Sequence, residues 1–129
     1  MRRMLWSLVA GLAASSAAAV PHVRVAEGNL QGVDLPGVGS GREHVYHLYV
    51  IRHERRDQLA QHLAQRGIQT VINYPVALPF LPAYRRFEHQ PADFPVAYHH
   101  QLRILSLPMF PEMSSTQIAE VARAIASLD

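Results

Sequence analysis

The sequence contains no cysteine and no lysine, and all 12 of its basic side chains are arginine. The absence of cysteine excludes disulfides, thiolate metal sites, iron–sulfur ligation and cysteine nucleophiles. The absence of lysine excludes a lysine Schiff base, a phosphate-binding P-loop lysine and a lysine general base. The absence of these two residue types therefore excludes every class of enzyme whose chemistry depends on a cysteine or a lysine.

The length and the net charge of the chain limit the number of domains and the kinds of binding partner. With 129 residues, the chain is long enough for one domain with one modest core. The formal net charge is only +2, and the arginines are spread along the chain instead of forming a block. Neither feature favours binding to nucleic acid.

The first 20 residues differ from the rest of the chain. A short basic start, Met1-Arg2-Arg3, precedes an apolar run over residues 4–14, and Ala17-Ala18-Ala19 follows as an A-x-A pattern. This order is typical of a secretory signal peptide, but an Ala-rich composition or a misread start in GC-rich DNA would also produce it. The run is too short and too rich in Ala and Ser for a membrane span, which needs roughly 20 apolar residues.

Residues 21–43 form a predicted irregular connector, because they lack hydrophobic periodicity and are rich in glycine between residues 35 and 41. Regular structure is predicted from His44. The sequence thus divides into a signal-like or misread segment (residues 1–20), the connector (21–43) and a folded domain (44–129).

The start of the domain predicts a β-α-β unit. His44–Arg52 is rich in β-branched and aromatic residues and apolar on both faces, which is typical of an inner strand. Glu54–Arg66 has helical spacing and is followed by Gly67 at the position of a C′ residue. Ile68–Tyr74 returns to strand-like alternation. We expect an α/β fold with a short mixed sheet of about three strands flanked by helices.

Turns punctuate the middle of the domain, since seven of the nine prolines lie between Pro75 and Pro111. A short helix is predicted to open at Pro82 and to carry Tyr84 and Phe87. Asp93 is a plausible N-cap of the next helix, because Pro95 is tolerated in a first turn.

The C-terminal part predicts a short strand and a final helix. Ile104–Leu107 is apolar and ends at a proline. Ser114 and Gln117 have the spacing of a capping box. The residues that follow place one apolar stripe along the helix: Ile118, Val121, Ile125 and Leu128.

The residues alone predict no self-contained active site. On a strand, His44 and His47 would lie on opposite faces, and the adjacent His99 and His100 would be about 100° apart on a helix. No carboxylate pattern supports a zinc site. The sequence has no G-x-S-x-G elbow and no G-x-G-x-x-G opening a helix. We predict neither a metal ligand nor a catalytic residue.

The order of short motifs along the second half is more specific than any single motif. The motifs are His44-Val45-Tyr46-His47-Leu48-Tyr49-Val50-Ile51-Arg52, Arg55-Arg56-Asp57-Gln58-Leu59, Arg66-Gly67-Ile68, Asn73-Tyr74-Pro75, Pro82-Ala83-Tyr84, Asp93-Phe94-Pro95-Val96-Ala97, Leu105-Ser106-Leu107-Pro108-Met109 and Gln117-Ile118. From about Glu27 to the end, this succession resembles the C-terminal portion of the DegT/StrS family of PLP-dependent sugar aminotransferases.

The resemblance implies the small C-terminal domain of a cytoplasmic, homodimeric fold-type-I aminotransferase. Such enzymes transfer an amino group, typically from glutamate, to a keto-sugar nucleotide for surface polysaccharides or antibiotic sugars. In this family the cofactor lysine, the aspartate that pairs with the pyridinium nitrogen and the phosphate-binding residues belong to a larger upstream domain. That large domain, or a separate subunit equivalent to it, is the expected partner. Since this chain has no lysine, it is not expected to hold PLP covalently, and whether it is itself an enzyme stays open.

The same resemblance indicates two substrate-binding candidates, Asn73 and Tyr74. Residues 70–75 correspond to a family strand that usually ends in His-Tyr-Pro and approaches the substrate side of the active site. Asn73 replaces the histidine, so it keeps hydrogen-bonding capacity but loses the titratable imidazole. The alternative, which we favour, is that Tyr74 and Pro75 simply end a strand and begin a turn.

At the N-terminus the chain departs from the family pattern, which has a long charged helix before the connector. Residues 1–20 carry two charges instead. This favours a truncated gene or a misread start over export through residues 1–19. We therefore expect a truncated C-terminal domain that is inactive alone. The alternative is an exported or partner-dependent small binding module without catalysis.

Overall fold

A computed structural model describes residue 30 and residues 32–128 of the chain. The centre of the described fold is a three-stranded antiparallel sheet. Its strands are β1 (Val33–Asp34), β2 (Tyr49–His53) and β3 (Ile104–Leu107), in the order β1-β2-β3. The predicted three-stranded sheet flanked by helices is confirmed, although both pairings are antiparallel and not mixed. The signal-like segment, residues 1–20, lies outside the described residues.

Within the described residues, three α-helices and two short 3₁₀ helices surround this sheet. They are α1 (Arg56–Gln65), the 3₁₀ helices Leu78–Phe80 and Pro82–Phe87, α2 (Pro95–Arg103) and α3 (Ser115–Ala126). The short helix predicted at Pro82 and the capping box before α3 are both confirmed. Gly67 follows α1 with a φ of +72°, the left-handed conformation that ends helices.

The core lies on one face of the sheet. Along β2, buried residues alternate with half-buried ones, as the period of a strand requires. The cross-strand pairs Tyr49–Leu107 and Ile51–Leu105 therefore point to the same side. There the helices α1 and α3 cover them with Leu59, Leu63, Val121 and Ile125, all of which are buried. The opposite face carries Val50, Arg52, Ile104 and Ser106.

The predicted β-α-β connection exists, but with a strand inserted into it. Val71 forms an antiparallel bridge to Ser106, with N···O distances of 3.1 and 2.8 Å. Both β2 and the Val71 segment are antiparallel to β3 and pair with its two sides. They are consequently parallel to each other, joined by α1, with β3 between them. The predicted strand Ile68–Tyr74 is reduced to this single bridge.

Several predicted boundaries were wrong for identifiable reasons. The first long strand begins at Tyr49 and not at His44, because Tyr46 has a φ of +45°, which interrupts an extended chain. The two-residue strand β1 lies inside the predicted connector. The N-cap of α2 is Phe94, whereas the Asp93 carboxylate accepts a hydrogen bond from the Gln90 amide at 2.7 Å.

Ser114→Ala tests the capping box of α3. The Ser114 hydroxyl accepts the Gln117 amide at 3.2 Å, and the Ser114 amide donates to Gln117 Oε1 at 2.8 Å. Its removal leaves one helix-terminal N–H without a partner, so we expect the free energy of unfolding to fall by about 1 kcal/mol. Urea denaturation measures this, with Ser115→Ala as the matched control. Equal losses in both variants would contradict a capping role.

Tyr49 makes the fold sensitive to alkali. Burial, together with the neighbouring Tyr46, raises the pKa of Tyr49 above its ordinary value of 10.0. The fold therefore favours the protonated phenol, and its contribution to stability is full below about pH 10 and is lost as the pH rises further. We expect Tyr49→Phe to lose less stability than the wild type as the pH rises above about 10. Urea midpoints against pH measure this, with exposed Tyr84→Phe as control; parallel curves for Tyr49→Phe and the wild type would contradict it.

Candidate functional site

The two predicted substrate-binding residues, Asn73 and Tyr74, follow the Val71 bridge at the edge of the sheet. Asn73 is half-buried, and its side-chain amide donates to the Ser106 hydroxyl at 3.4 Å. Ser106 lies on the face of the sheet opposite the main core, so Asn73 is held against that second face. The Asn73 carbonyl oxygen keeps its acceptor capacity for another group.

Tyr74 is the more accessible of the two residues. Its side chain is 79% exposed, so the structure does not place it against Asn73. The φ of Tyr74 is +54°, a left-handed conformation in a residue that precedes proline and would otherwise be extended. Such a conformation costs about 1–3 kcal/mol and persists only where the surroundings impose it. The segment is thus a defined bend that presents a phenol to solvent.

The loop after Tyr74 is anchored to α2. The Ala77 amide donates to Gln101 Oε1 at 2.7 Å, and the first 3₁₀ helix begins at the next residue. Phe80 contacts Tyr98 of α2 edge to face, with ring centroids 5.5 Å apart. The bend at Tyr74 and the following turns are therefore supported from the same helix.

An apolar groove, which we call the aromatic groove, opens on the two 3₁₀ helices. Its volume is about 400 Å³, and it is lined by Leu78, Pro79, Tyr84, Phe87 and His89. Sequence reasoning predicted the short helix that carries Tyr84 and Phe87 but not the groove. The proline-rich spacing indicated turns there, and nothing in it signalled that their apolar side chains would stay exposed on one surface.

Charged residues cluster between β1, β2 and α2, where they neutralise one another. The Asp34 carboxylate lies 3.4 Å from the Arg52 guanidinium and 3.5 Å from that of Arg103. Arg103 also pairs with Glu54 at 2.6 Å, and Arg52 contacts His100 Nε2 at 2.7 Å. Both carboxylates of this cluster are paired with a guanidinium. The cluster therefore links β1, β2 and α2, and it contains no unpaired carboxylate that could act as a base.

In the part of the chain that the structure describes, four histidines accept hydrogen bonds from N–H groups. Backbone N–H groups or guanidinium groups donate to them in these pairs: Tyr46 to His44, Arg55 to His53, Arg52 to His100 and Arg66 to His62. His62 also bridges two helices, because its Nε2 lies 2.9 Å from the Ala124 carbonyl oxygen of α3. Within residues 32–128 no three His, Asp or Glu side chains are grouped as a metal site would require.

The sequence of the chain matches the model of a known protein family. The model of the DegT/DnrJ/EryC1/StrS aminotransferase family matches residues 23–126. The chain belongs to this family. The earlier resemblance is thereby confirmed over most of its length.

Two relatives of this DegT/DnrJ/EryC1/StrS chain are named as aminotransferases of nucleotide sugars. It is 39% identical over 102 residues to UDP-N-acetyl-3-dehydro-alpha-D-glucosamine 3-aminotransferase of Acidithiobacillus ferrooxidans, covering 75% of this chain and 26% of the relative. It is 36% identical over 96 residues to dTDP-3-amino-3,4,6-trideoxy-alpha-D-glucose transaminase of Streptomyces venezuelae, covering 74% and 25% respectively. The chain thus spans about a quarter of the length of the curated relatives it matches.

The fold is similar to that of a solved family member. The crystal structure of S. venezuelae DesV in complex with a ketimine intermediate superposes with a TM-score of 0.73 and 34% identity. The match covers 79% of this chain and 28% of DesV. The small α/β architecture predicted from the sequence is therefore that of a portion of a family aminotransferase.

PLP does not fit this chain as a covalently held cofactor. The family generally depends on PLP, yet no lysine occurs among the 129 residues. In the described part of the chain, moreover, the guanidinium groups of Arg52 and Arg103 are paired with carboxylates. We therefore derive no chemical step through PLP from these residues. Separately, no helix within residues 32–128 is long and apolar enough to cross a membrane.

Proposed function

We propose that this chain serves as the C-terminal small domain of a PLP-dependent aminotransferase that acts on a keto-sugar nucleotide, and that it does not transaminate alone. The observation that carries the proposal is the family match over residues 23–126 in a chain without lysine. Its partner is a large aminotransferase domain or subunit, which supplies the cofactor lysine, and the completed enzyme is a homodimer. The nucleotide-sugar names of the relatives support this substrate class.

Within such an enzyme, Asn73 and Tyr74 contribute to substrate binding. The Asn73 amide is committed to Ser106 at 3.4 Å, which leaves its carbonyl oxygen to accept a hydrogen bond from a sugar hydroxyl. The Tyr74 phenol, 79% exposed, can donate to a hydroxyl or phosphate oxygen. Both contacts are hydrogen bonds, so the role of the two residues is to orient the substrate.

Complementation tests the proposal. The full chain is co-expressed with the S. venezuelae transaminase shortened by its C-terminal quarter. We expect the two to co-purify and to transaminate a keto-sugar nucleotide, whereas neither part does so alone. Robust transamination by the chain alone would overturn the proposal, and so would the absence of association and activity with an otherwise folded large domain.

Two variants in that complex test the substrate-binding role. Tyr74→Phe removes one donor and is expected to raise KM about fivefold to tenfold. Asn73→His restores the residue usual in the family and is expected to raise activity. Tyr98→Phe, on α2, is the control. Unchanged kinetics in both test variants would assign residues 73–75 to a strand end and a turn.

We further propose that this function is carried out in the cytoplasm. Mass spectrometry of the expressed chain tests this, since an intact N-terminus in the cytoplasmic fraction is expected. Cleavage after Ala19 with export of the remainder would instead support an exported binding module.

A further inference from the structure

The Val71 segment forms an outer edge of the sheet, and within the described residues no further strand pairs with it. The N–H and C=O groups of Val71 are both bonded to Ser106. In an antiparallel pair, the residues on either side of such a position direct their N–H and C=O groups away from the partner strand. These residues are Thr70 and Ile72, and the described part of the chain offers their backbone no hydrogen-bond partner. An open edge of this kind is a template for another strand.

Apolar side chains stay accessible beside this edge. Val71 is 57% exposed and Phe110 is 41% exposed. Both line an open cavity of about 500 Å³ between the Val71 segment and α3, which we call the edge cavity. Three buried core residues also line it: Ile68, Met113 and Val121. A molecule that adds a strand here would therefore cover apolar surface as well as backbone groups.

The edge cavity carries one cationic and one anionic side chain, Arg66 and Glu120. Arg66 uses its Nη1 for hydrogen bonds to the His62 ring and carbonyl oxygen, at 3.1 and 3.3 Å. Within residues 32–128, neither Arg66 nor Glu120 forms an ion pair. A patch with one such charge of each sign is complementary to itself, because rotation by 180° brings each cation to an anion.

We propose that a second copy of this chain binds at the edge cavity, with the two Val71 segments paired antiparallel across a two-fold axis. Backbone groups of residues 70–72 form the ladder between the two copies. The exposed Phe110 is covered in this arrangement. Arg66 of each copy pairs with Glu120 of the other, and the two sheets become one continuous sheet.

A second copy fits this surface better than other occupants. A small molecule would fill the cavity but would leave the backbone groups of Thr70 and Ile72 without partners. A peptide of one charge sign would neutralise only one of the two ionic side chains. Pairing at the edge also leaves accessible the second face of the sheet, where Asn73 contacts Ser106. The interface is consequently separate from the substrate-binding candidates and does not rest on the proposed function.

Sedimentation equilibrium and NMR dilution of the full chain test the proposal. We expect a reversible dimer, with concentration-dependent shifts confined to residues 66–72 and 108–121. Val71→Lys is expected to weaken dimerisation at least about tenfold, because it places a charge at the centre of the paired edges. Val96→Lys, at a 66% exposed position on α2, is the matched control. Should Val71→Lys fold poorly, Glu120→Arg, at an exposed helix position, tests the same interface.

Exchange of the two charges tests the two-fold arrangement. Arg66→Glu and Glu120→Arg each place like charges at both ionic contacts of a homodimer, so each is expected to weaken dimerisation at least about tenfold. In a mixture of the two variants, the heterodimer has opposite charges at both contacts. We therefore expect the mixture to associate within about threefold of the wild type. A structural defect in either variant would not be repaired by mixing.

Three results would overturn the proposal. The first is a chain that stays monomeric up to about 1 mM, a concentration that detects even weak association. The second is a dimer whose dilution shifts lie on another surface, such as the aromatic groove. The third is a mixture of the two charge variants that associates no more strongly than either variant alone. Complementation with the large domain is measured separately, so its outcome does not bear on this interface.

Discussion

Replacement of Leu63 by alanine lowers the free energy of unfolding by about 2–5 kcal/mol. Leu63 is fully buried on α1, the helix that packs against β2, β3 and α3. Truncation removes apolar contacts and leaves a cavity that surrounding side chains refill only in part. Because small domains are stable by only about 5–15 kcal/mol, this single change removes a large fraction of the total.

Urea denaturation followed by circular dichroism measures the effect. Leu102→Ala is the matched control, since it deletes the same atoms from a side chain that is 50% exposed. We expect the control to lose less than about 1 kcal/mol. Similar losses in both variants would mean that α1 does not form the centre of the core.

Arg56→Met is expected to lower the free energy of unfolding by about 2–3 kcal/mol. Arg56 opens α1 and is only 11% exposed. Its Nη1 donates to the carbonyl oxygens of Gln101 at 3.4 Å and Ile104 at 3.3 Å, where α2 ends and β3 begins. Methionine keeps most of the stem but leaves two part-buried acceptors without this donor.

Two further variants sharpen this prediction. Arg56→Lys keeps the charge but cannot reproduce the guanidinium fork, so an intermediate loss is expected. Arg42→Met, at an exposed position of the connector, controls for removal of an arginine. Full stability of Arg56→Lys would assign the effect to charge alone, and full stability of Arg56→Met would contradict the contribution of these hydrogen bonds.

Elements that carry their own local signals were predictable. The strand Ile104–Leu107 has an apolar run closed by Pro108, and α3 has a capping box and an apolar stripe, so both were predicted at their observed positions. The strand β1 has no such signal, because two residues in a glycine-rich stretch become a strand only by pairing with Arg52 and His53. The start of β2 was missed because the left-handed Tyr46 depends on contacts with His44 and Tyr49.

The candidate site was predictable to a smaller extent. Family resemblance indicated Asn73 and Tyr74, but only the folded chain places Asn73 against Ser106, 33 residues further along. The aromatic groove depends on two consecutive 3₁₀ helices that leave Tyr84 and Phe87 exposed. Hydrophobic periodicity predicts which side chains are buried, so it carries little information about a surface that stays open.

The insertion of β3 between β2 and the Val71 segment also constrains when the sheet can form during synthesis. Both neighbours of β3 are made long before it, yet neither pairs with the other. A nascent chain that has not yet released Ile104–Leu107 from the ribosome has no partner for the Val71 segment, and β2 can pair only with the two residues of β1. Helix α1 can form early from local contacts, whereas the sheet must wait for the last quarter of the chain. Exposed apolar strands in that interval make the growing chain dependent on rapid completion or on chaperones.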